Sequence, residues 1–303
     1  MFYGFDIGGT KIAFSVYDKE LISLYKTEIA TPSHYDILLR TIITMVNDAD
    51  RLYEKKGDVG IGFPGSMKNN LMFCSNMPAL QGKPLVSDLT NALARSILVE
   101  NDANCFLLSE CYGGASNGCQ TALGVTLGTG VGGAVFVNNS MLHGLNNNAG
   151  EIGHYPIPAT MLVKYPDLPL FNCACGHSLC FERYVSGTGL ENLYNHYADK
   201  SLSGREILAS YQNGDVIACQ VVEIFLDILA SGIAISVLVL DPEVIVFGGG
   251  LSSFPNLVNE ITIRLPEHLL PNAKLPKIAT PKFGGDGGVR GAALLNCLPL
   301  HKS

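Results

Sequence analysis

Hydrophobic positions along this chain fall into short apolar runs that stop at glycine and longer stretches with helical spacing. The first run, residues 2–7, stops at Gly8-Gly9-Thr10-Lys11; residues 12–17 continue with alternating character, and a third run covers 21–29. Alternation bounded by turn residues predicts an antiparallel meander. Thr31-Pro32-Ser33 then offers cap and first-turn residues, and Ile37, Leu38, Ile42, Met45, Val46 and Leu52 share one face of a helix predicted over 34–55. A buried strand at 59–63 ends at Pro64-Gly65. A helix over 87–96 leads into a strand at 97–99, which stops at Glu100-Asn101-Asp102 before a helix that starts near Ala103. Strand and helix alternating after a meander predict α/β architecture.

The pattern then starts again. Residues 122–127 read as a strand, Gly128-Thr129-Gly130-Val131-Gly132-Gly133 as a turn, and residues 134–137 as the returning strand. Two similar glycine hairpins suggest an internal repeat of two related domains, with a first boundary near 113–118. The second half adds an irregular stretch over 146–182, helices near 189–197 and 204–212, a long helix over 215–240, and a strand at 244–247 ending in Gly248-Gly249-Gly250. The apolar run at 228–240 lies between Asp227 and Asp241 and contains Ser231, Gly232 and Ser236. It falls short of the ~20 apolar residues a membrane span needs and reads as a buried helix.

Composition narrows the function classes. A length of 303 residues, at roughly 150 per domain, predicts two domains. Hydrophobic residues at 47% against 16% charged exclude general disorder. The net charge of −7, with no run of Lys or Arg, disfavours a nucleic-acid partner held through phosphates. The first ten residues lack a basic segment and carry Asp6 inside their apolar run, so they do not read as a signal peptide; a cytoplasmic location and no membrane partner are expected. Nine cysteines, an odd count, then point to free thiols and a metal site rather than a disulfide framework.

Several segments could carry chemistry. In Asp6-Ile7-Gly8-Gly9-Thr10-Lys11 the glycines leave N–H groups open to an anion, Thr10 and Lys11 add a hydroxyl and a cation, and Asp6 can hold a metal ion through water; an ordinary hairpin with a charged rim fits equally well. Gly128 to Gly133 satisfies G-x-G-x-x-G, but the β-type run that follows leaves no room for the helix a dinucleotide fingerprint opens. A second phosphate-binding hairpin, or glycines that let two segments approach, remain. Gly249 and Gly250 form a third glycine patch on which a flat ring could lie, or a plain strand-to-helix turn. Asp102 sits where a proton acceptor for an attacking hydroxyl would stand, with Asn101 orienting the same substrate; the alternative is a helix N-cap. His154 with Cys173, Cys175 and Cys180, in C-x-C-x4-C spacing, matches a four-ligand structural zinc set, against the alternative of reduced surface thiols. Glu151 and Glu182 flank that set. If zinc holds the segment rigid they become acceptors for a polyhydroxylated substrate; otherwise they are solvated charges.

Taken together, these segments resemble the ROK family of bacterial sugar kinases and related repressors. The carriers, in family order, are the segments at 6–11, 62–65, 101–104, 127–133, 150–154, Cys173-Ala174-Cys175-Gly176 with Cys180 and Glu182, and 248–252. The segments at 265–271 and 284–293 are most similar to the family's bacterial kinases of N-acetyl-D-glucosamine. The resemblance implies a two-lobed actin/hexokinase-like (ribonuclease H-like) α/β fold with an interlobe active-site cleft. The small lobe would be 1–117 plus 289–303, and the large lobe 118–288. It implies ATP and Mg²⁺ as cosubstrates beside the structural zinc, transfer of the γ-phosphoryl to a sugar 6-hydroxyl, and a homodimer. Asp102 matches the family's catalytic base; Gly65, Asn76, Asn101, Glu151, His154 and Glu182 match sugar contacts. Asp6, Gly8, Gly9, Thr10 and Lys11, with Gly128, Thr129, Gly130, Val131, Gly132 and Gly133, match the phosphate loops, and Gly249 and Gly250 lie near the adenosine. A kinase of glucose, mannose, fructose or N-acetylmannosamine is the alternative. A family repressor would need a DNA-binding domain ahead of residue 6, and an oxidoreductase would need to bind NAD. Two departures stand out: Leu179 occupies a position where the family's cysteine motif carries glycine, and the chain has no Trp.

Overall fold

The computed structural model describes residues 1–74, 77–198, 200–254 and 256–297. It divides into two compact units, one made of the described residues of 1–114, 143–148 and 282–297, the other of 115–142 and 149–281. In the first unit the glycine hairpin joins β1 (Phe2–Ile7) to β2 (Lys11–Tyr17), and β3 (Ser23–Ala30) completes the meander. The third strand starts later than its apolar run because Leu21 adopts a left-handed turn conformation, φ 61°. Next come α1 (Tyr35–Leu52), β4 (Asp58–Phe63), a small hairpin of β5 (Ser66–Lys68) and β6 (Leu71–Phe73), α2 (Leu85–Leu93), β7 (Ile97–Asn101) and α3 (Asp102–Cys111). The helix expected over 87–96 lies two residues earlier at its start; Ala94, at φ 52°, stops it.

The second unit opens with β8 (Thr121–Leu127), β9 (Val131–Val137) and β10 (Ser140–Met141). The stretch expected to be irregular holds α4 (Ala159–Lys164) and runs into α5 (Glu182–Val185). Then follow α6 (Gly187–Tyr197), α7 (Gly204–Gln212), α8 (Val216–Leu240), β11 (Val244–Gly248), α9 (Leu257–Arg264) and β12 (Lys277–Ala279), before α10 (Gly287–Leu294) in the first unit. The apolar helix α8 starts from an Asp215 cap on the Ala218 N–H and has 83% of its apolar window buried, so it is a core helix.

Sheet topology makes the internal repeat visible. The first sheet runs β3-β2-β1-β4-β7 and the second β10-β9-β8-β11-β12. In each, three strands pair antiparallel and two more add in parallel. The hairpin registers correspond too, Ile7 opposite Ile12 and Leu127 opposite Val131. Each sheet has its own core: Phe5, Ile7, Phe14, Ile42 and Val59 are among the buried side chains of the first, and Leu123, Val125, Phe181, Leu226 and Ile245 of the second. Glycine sets the depth at which α10 packs on the first sheet. A Cβ on Gly4 would come 2.0 Å from the Val289 carbonyl, and one on Gly60 1.9 Å from that of Ala292, so any side chain there would push the helix off.

Candidate active site

In the first unit, the parallel strand β7 delivers Asn101 and Asp102 to its C-terminal end, where α3 begins. Asn101 keeps extended backbone and caps the helix: its Oδ1 accepts from the N–H groups of Ala103 at 2.9 Å and Asn104 at 3.4 Å. Its Nδ2 donates to the Gly65 carbonyl at 3.2 Å, tying the cap to the turn after β4. The cap and the candidate base are therefore neighbours, not competitors. Asp102 takes the first helical position, where its Oδ1 accepts the Ala103 N–H at 2.9 Å and a helix N-terminus suits a negative side chain. Gly65 sits at φ 152°, and a Cβ there would lie 2.2 Å from the Phe73 carbonyl, so the position is closed to a side chain. Asn76 lies outside the described residues.

The first glycine loop is a tight hairpin in which Gly8 N–H donates to the Lys11 carbonyl at 2.9 Å. Thr31 braces it from β3's end: its hydroxyl donates to the Gly8 carbonyl at 2.6 Å and its N–H to the Thr10 carbonyl at 3.1 Å. Gly9, Thr10 and Lys11 are exposed at its tip. The Lys11 ammonium is paired with Glu28 Oε1 on β3 at 2.8 Å. Asp6, at the end of β1, lies against the start of α10, where a Cβ on Gly288 would come 2.5 Å from its Oδ2. Burial first, then the Asp102 carboxylate, pushes the Asp6 carboxyl up to about 6, with Lys11 pulling the other way. Asp6 and Asp102 thus share one electrostatic neighbourhood.

In the second unit the tight turn covers only Gly128 to Gly130, closed by Gly128 N–H on the Gly130 carbonyl at 2.9 Å, and Val131 to Gly133 already belong to β9. Those strand glycines serve close approach. A Cβ on Gly133 would meet the Gly150 carbonyl at 2.2 Å, and one on Gly153 the Val131 carbonyl at 2.4 Å, so residues 150–154 lie directly on the hairpin. The start of α6, which the sequence had placed later, covers the same turn: Gly187 N–H donates to the Gly128 carbonyl at 2.7 Å, and the Thr188 hydroxyl donates to the Thr129 carbonyl. Gly249, at φ 81°, packs on Leu127, which brings the start of the third glycine patch against the end of β8. Glu182 opens α5 with its Oε2 above Gly130.

The sulfur and imidazole groups converge as their spacing suggested. One donor atom from each of His154, Cys173, Cys175 and Cys180 lies within 4.8 Å of all the others. Cys175 and Cys180 sulfurs are 3.5 Å apart, and Cys173 Sγ is 3.7 Å from His154 Nδ1. Zinc–sulfur bonds of about 2.3 Å in a tetrahedron place neighbouring ligands about 3.7 Å apart, so the donor set fits zinc with little rearrangement. A turn holds the first two thiols, with Cys173 N–H on the His177 carbonyl at 2.8 Å and Gly176 N–H on the Cys173 carbonyl at 3.1 Å. Hydrogen bonding from His177, main chain first, draws the Cys175 thiol down to about 6, whereas burial pushes Cys180 up to about 12. His154 turns Nδ1 to this cluster and Nε2 toward Glu151 Oε2 at 3.9 Å, while Glu182 Oε1 stands 3.9 Å from Nδ1. Two carboxylates and an imidazole thus line one side of the cysteine cluster, an arrangement that can accept several hydroxyl hydrogen bonds.

Sequence reading overlooked Glu100 and His143. Glu100 precedes Asn101 in β7, and its Oε2 is 2.6 Å from His143 Nε2. A charge at the end of the apolar 97–99 run was the available signal for Glu100; nothing local marked His143.

Comparison with known proteins follows the same lines. The ROK family pattern matches residues 2–297. Among curated relatives, an N-acetyl-D-glucosamine kinase of Yersinia enterocolitica is 42% identical over 300 residues, covering 98% of this chain and 99% of the relative. Among solved structures, a ROK hexokinase from Thermus thermophilus superposes with a TM-score of 0.86 at 29% identity, covering 97% of this chain and 96% of the other. A ROK glucokinase from Streptomyces griseus, solved with glucose and AMPPNP, gives 0.79 at 27% identity, covering 97% and 98%.

Proposed function

The chain belongs to the ROK family, and from that premise we propose that it transfers the γ-phosphoryl of ATP to the 6-hydroxyl of N-acetyl-D-glucosamine. Likeness to N-acetyl-D-glucosamine kinases over nearly the whole of both chains carries the reading. The local geometry supports it. Asp102, fixed by the Asn101 cap at a strand end, takes the proton as the sugar hydroxyl attacks phosphorus. Asn101 retains a donor hydrogen beyond its bond to Gly65 and offers it to a sugar hydroxyl. Glu151, Glu182 and His154 Nε2 accept or donate to the remaining hydroxyls, with Gly65 and Asn76 as further contacts. Backbone N–H groups of the loops at 8–11 and 128–133 take the phosphates, and Gly249-Gly250 leaves bare backbone for the adenosine. Asp6, raised by burial first and by Asp102 second, is the carboxylate that would hold Mg²⁺ with ATP, and the ion's charge would favour the ionised form of both aspartates.

His154, Cys173, Cys175 and Cys180 would hold zinc, which supplies rigidity and no open coordination position. Small-lobe residues 1–117 with 289–303, large-lobe residues 118–288, a cytoplasmic enzyme and a homodimer complete the proposal, the last testable by light scattering.

A coupled assay of ATP consumption across N-acetylglucosamine, glucose, mannose, N-acetylmannosamine and fructose tests the function. The expected result is a kcat/KM for N-acetylglucosamine at least about tenfold above the rest. A higher value for glucose or mannose would move the protein to the hexokinase-like branch, and no turnover with any sugar would sink the reading.

A further inference from the structure

We propose that Glu100 is a positioning residue for the Asn101–Asp102 pair, clamped in place by His143 from the 143–148 segment. The inference rests on the reading of Asp102 as the proton acceptor. Glu100, the penultimate residue of β7, has a side chain only 15% exposed; one carboxylate oxygen bonds to groups at the start of α3 and the other to His143. Its Oε1 accepts the Asn101 N–H at 2.7 Å and the Asn104 Nδ2 at 2.9 Å. Its Oε2 faces His143 Nε2 at 2.6 Å. The first bond sets the peptide between Glu100 and Asn101, and so the direction in which the capping Asn101 presents its own side chain. The second grips α3 one turn in, at buried Asn104. The main chain of Asp102 lies between those two grips, so a shift of its Cα would strain one of them.

His143 is the outer anchor. Its side chain is 45% exposed, and it belongs to a short segment that the first unit takes from the middle of the second unit's sequence. The Glu100 hydrogen bond and charge raise the imidazole above its ordinary value despite burial. Burial of Glu100 would favour its neutral form, but His143, Asn104 and the Asn101 N–H outweigh it and hold the carboxyl below the usual carboxylate range. Each partner thus favours the other's charged form, and the attraction fades as pH rises through the raised His143 value. The other ionisable groups nearby are the Cys105 thiol on α3, whose ionisation burial suppresses first and the Glu100, Asp6 and Asp102 carboxylates suppress further, and those two aspartates themselves.

Glu100→Ala lowers kcat by about tenfold or more while KM for sugar and ATP stays within about threefold, as expected when a base is misplaced by a fraction of an ångström. Glu100→Gln keeps an acceptor for the Asn101 N–H and recovers most of that turnover. A smaller loss in Glu100→Ala, or no recovery in Glu100→Gln, overturns the proposal. Two readouts do not depend on turnover. The His143 imidazole, followed by NMR, titrates above about 6.5 in the wild type and returns toward that value in Glu100→Gln. Amide exchange over 101–104 is faster in either variant. An unshifted imidazole or unchanged exchange overturns the proposal, and these measurements decide it even if the wild-type protein phosphorylates no sugar, a result that would remove only the assigned function.

Discussion

At the residue scale, the most instructive position is Asn101-Asp102. The sequence marked both residues and weighed cap against base; the structure gives the cap to Asn101, whose extended backbone lets its side chain accept from both Ala103 and Asn104, and the proposed base is its neighbour Asp102. Asp102→Asn keeps the shape and removes the proton acceptor, so kcat should fall by about two orders of magnitude or more while sugar affinity, read by calorimetry, changes little. Turnover near normal in that variant would take Asp102 out of its role. Lys11 shows the opposite case. Its position in the glycine loop and the meander that sets β3 beside β2 were legible, but its pairing with Glu28 depends on the register of that strand pair, which no local signal specified.

Two elements carry further predictions. Leu179 adopts φ 65°, the left-handed region that suits glycine, the residue the family resemblance led one to expect there. The position is fixed by main-chain bonds on both sides, Leu179 N–H to the Phe171 carbonyl and Ile157 N–H to the Leu179 carbonyl, each 2.9 Å. Its side chain packs on the second core, which offsets the backbone cost. Leu179→Gly should therefore shift stability by less than about 1 kcal/mol, whereas Leu179→Val, which keeps the strain and crowds the backbone, should cost about 1–2 kcal/mol in thermal unfolding. Asp227, on α8, ties three helices together: Lys164 Nζ of α4 at 2.5 Å, the Tyr165 hydroxyl just after α4, and Arg264 Nη1 of α9 at 2.6 Å. Burial opposes its charge, but those partners outweigh burial and hold the carboxyl below the usual range. Because the folded value is the lower one, its contribution is present above the ordinary carboxylate range and is lost as pH falls through the lowered value. Asp227→Asn should cost about 2 kcal/mol or more at pH 7, and denaturant melts should show the gap to wild type closing toward pH 3.

At the scale of the whole molecule, the proposed zinc ligands His154, Cys173, Cys175 and Cys180 lie in a long stretch with little regular structure of its own, between the second hairpin and α5. Cys175→Ala should abolish one zinc per chain in elemental analysis and raise the sugar KM by about tenfold, since Glu151, His154 and Glu182 all ride on that segment. Full zinc content in the variant would remove Cys175 from the ligand set. What the sequence determined by itself was whatever depends on local order: strands ended by glycine, an apolar helix capped by Asp215, cysteines spaced for a metal, and a repeated hairpin that foretold two sheets of one topology. Tertiary structure alone decided how residues far apart in the chain are brought together. Glycines at 4, 60, 133 and 153 are needed only because another segment presses on each, and His143 reaches Glu100 only because the chain returns there. Such pairings arise when distant segments bury surface against each other, and that contact leaves no periodic trace in either segment's own sequence.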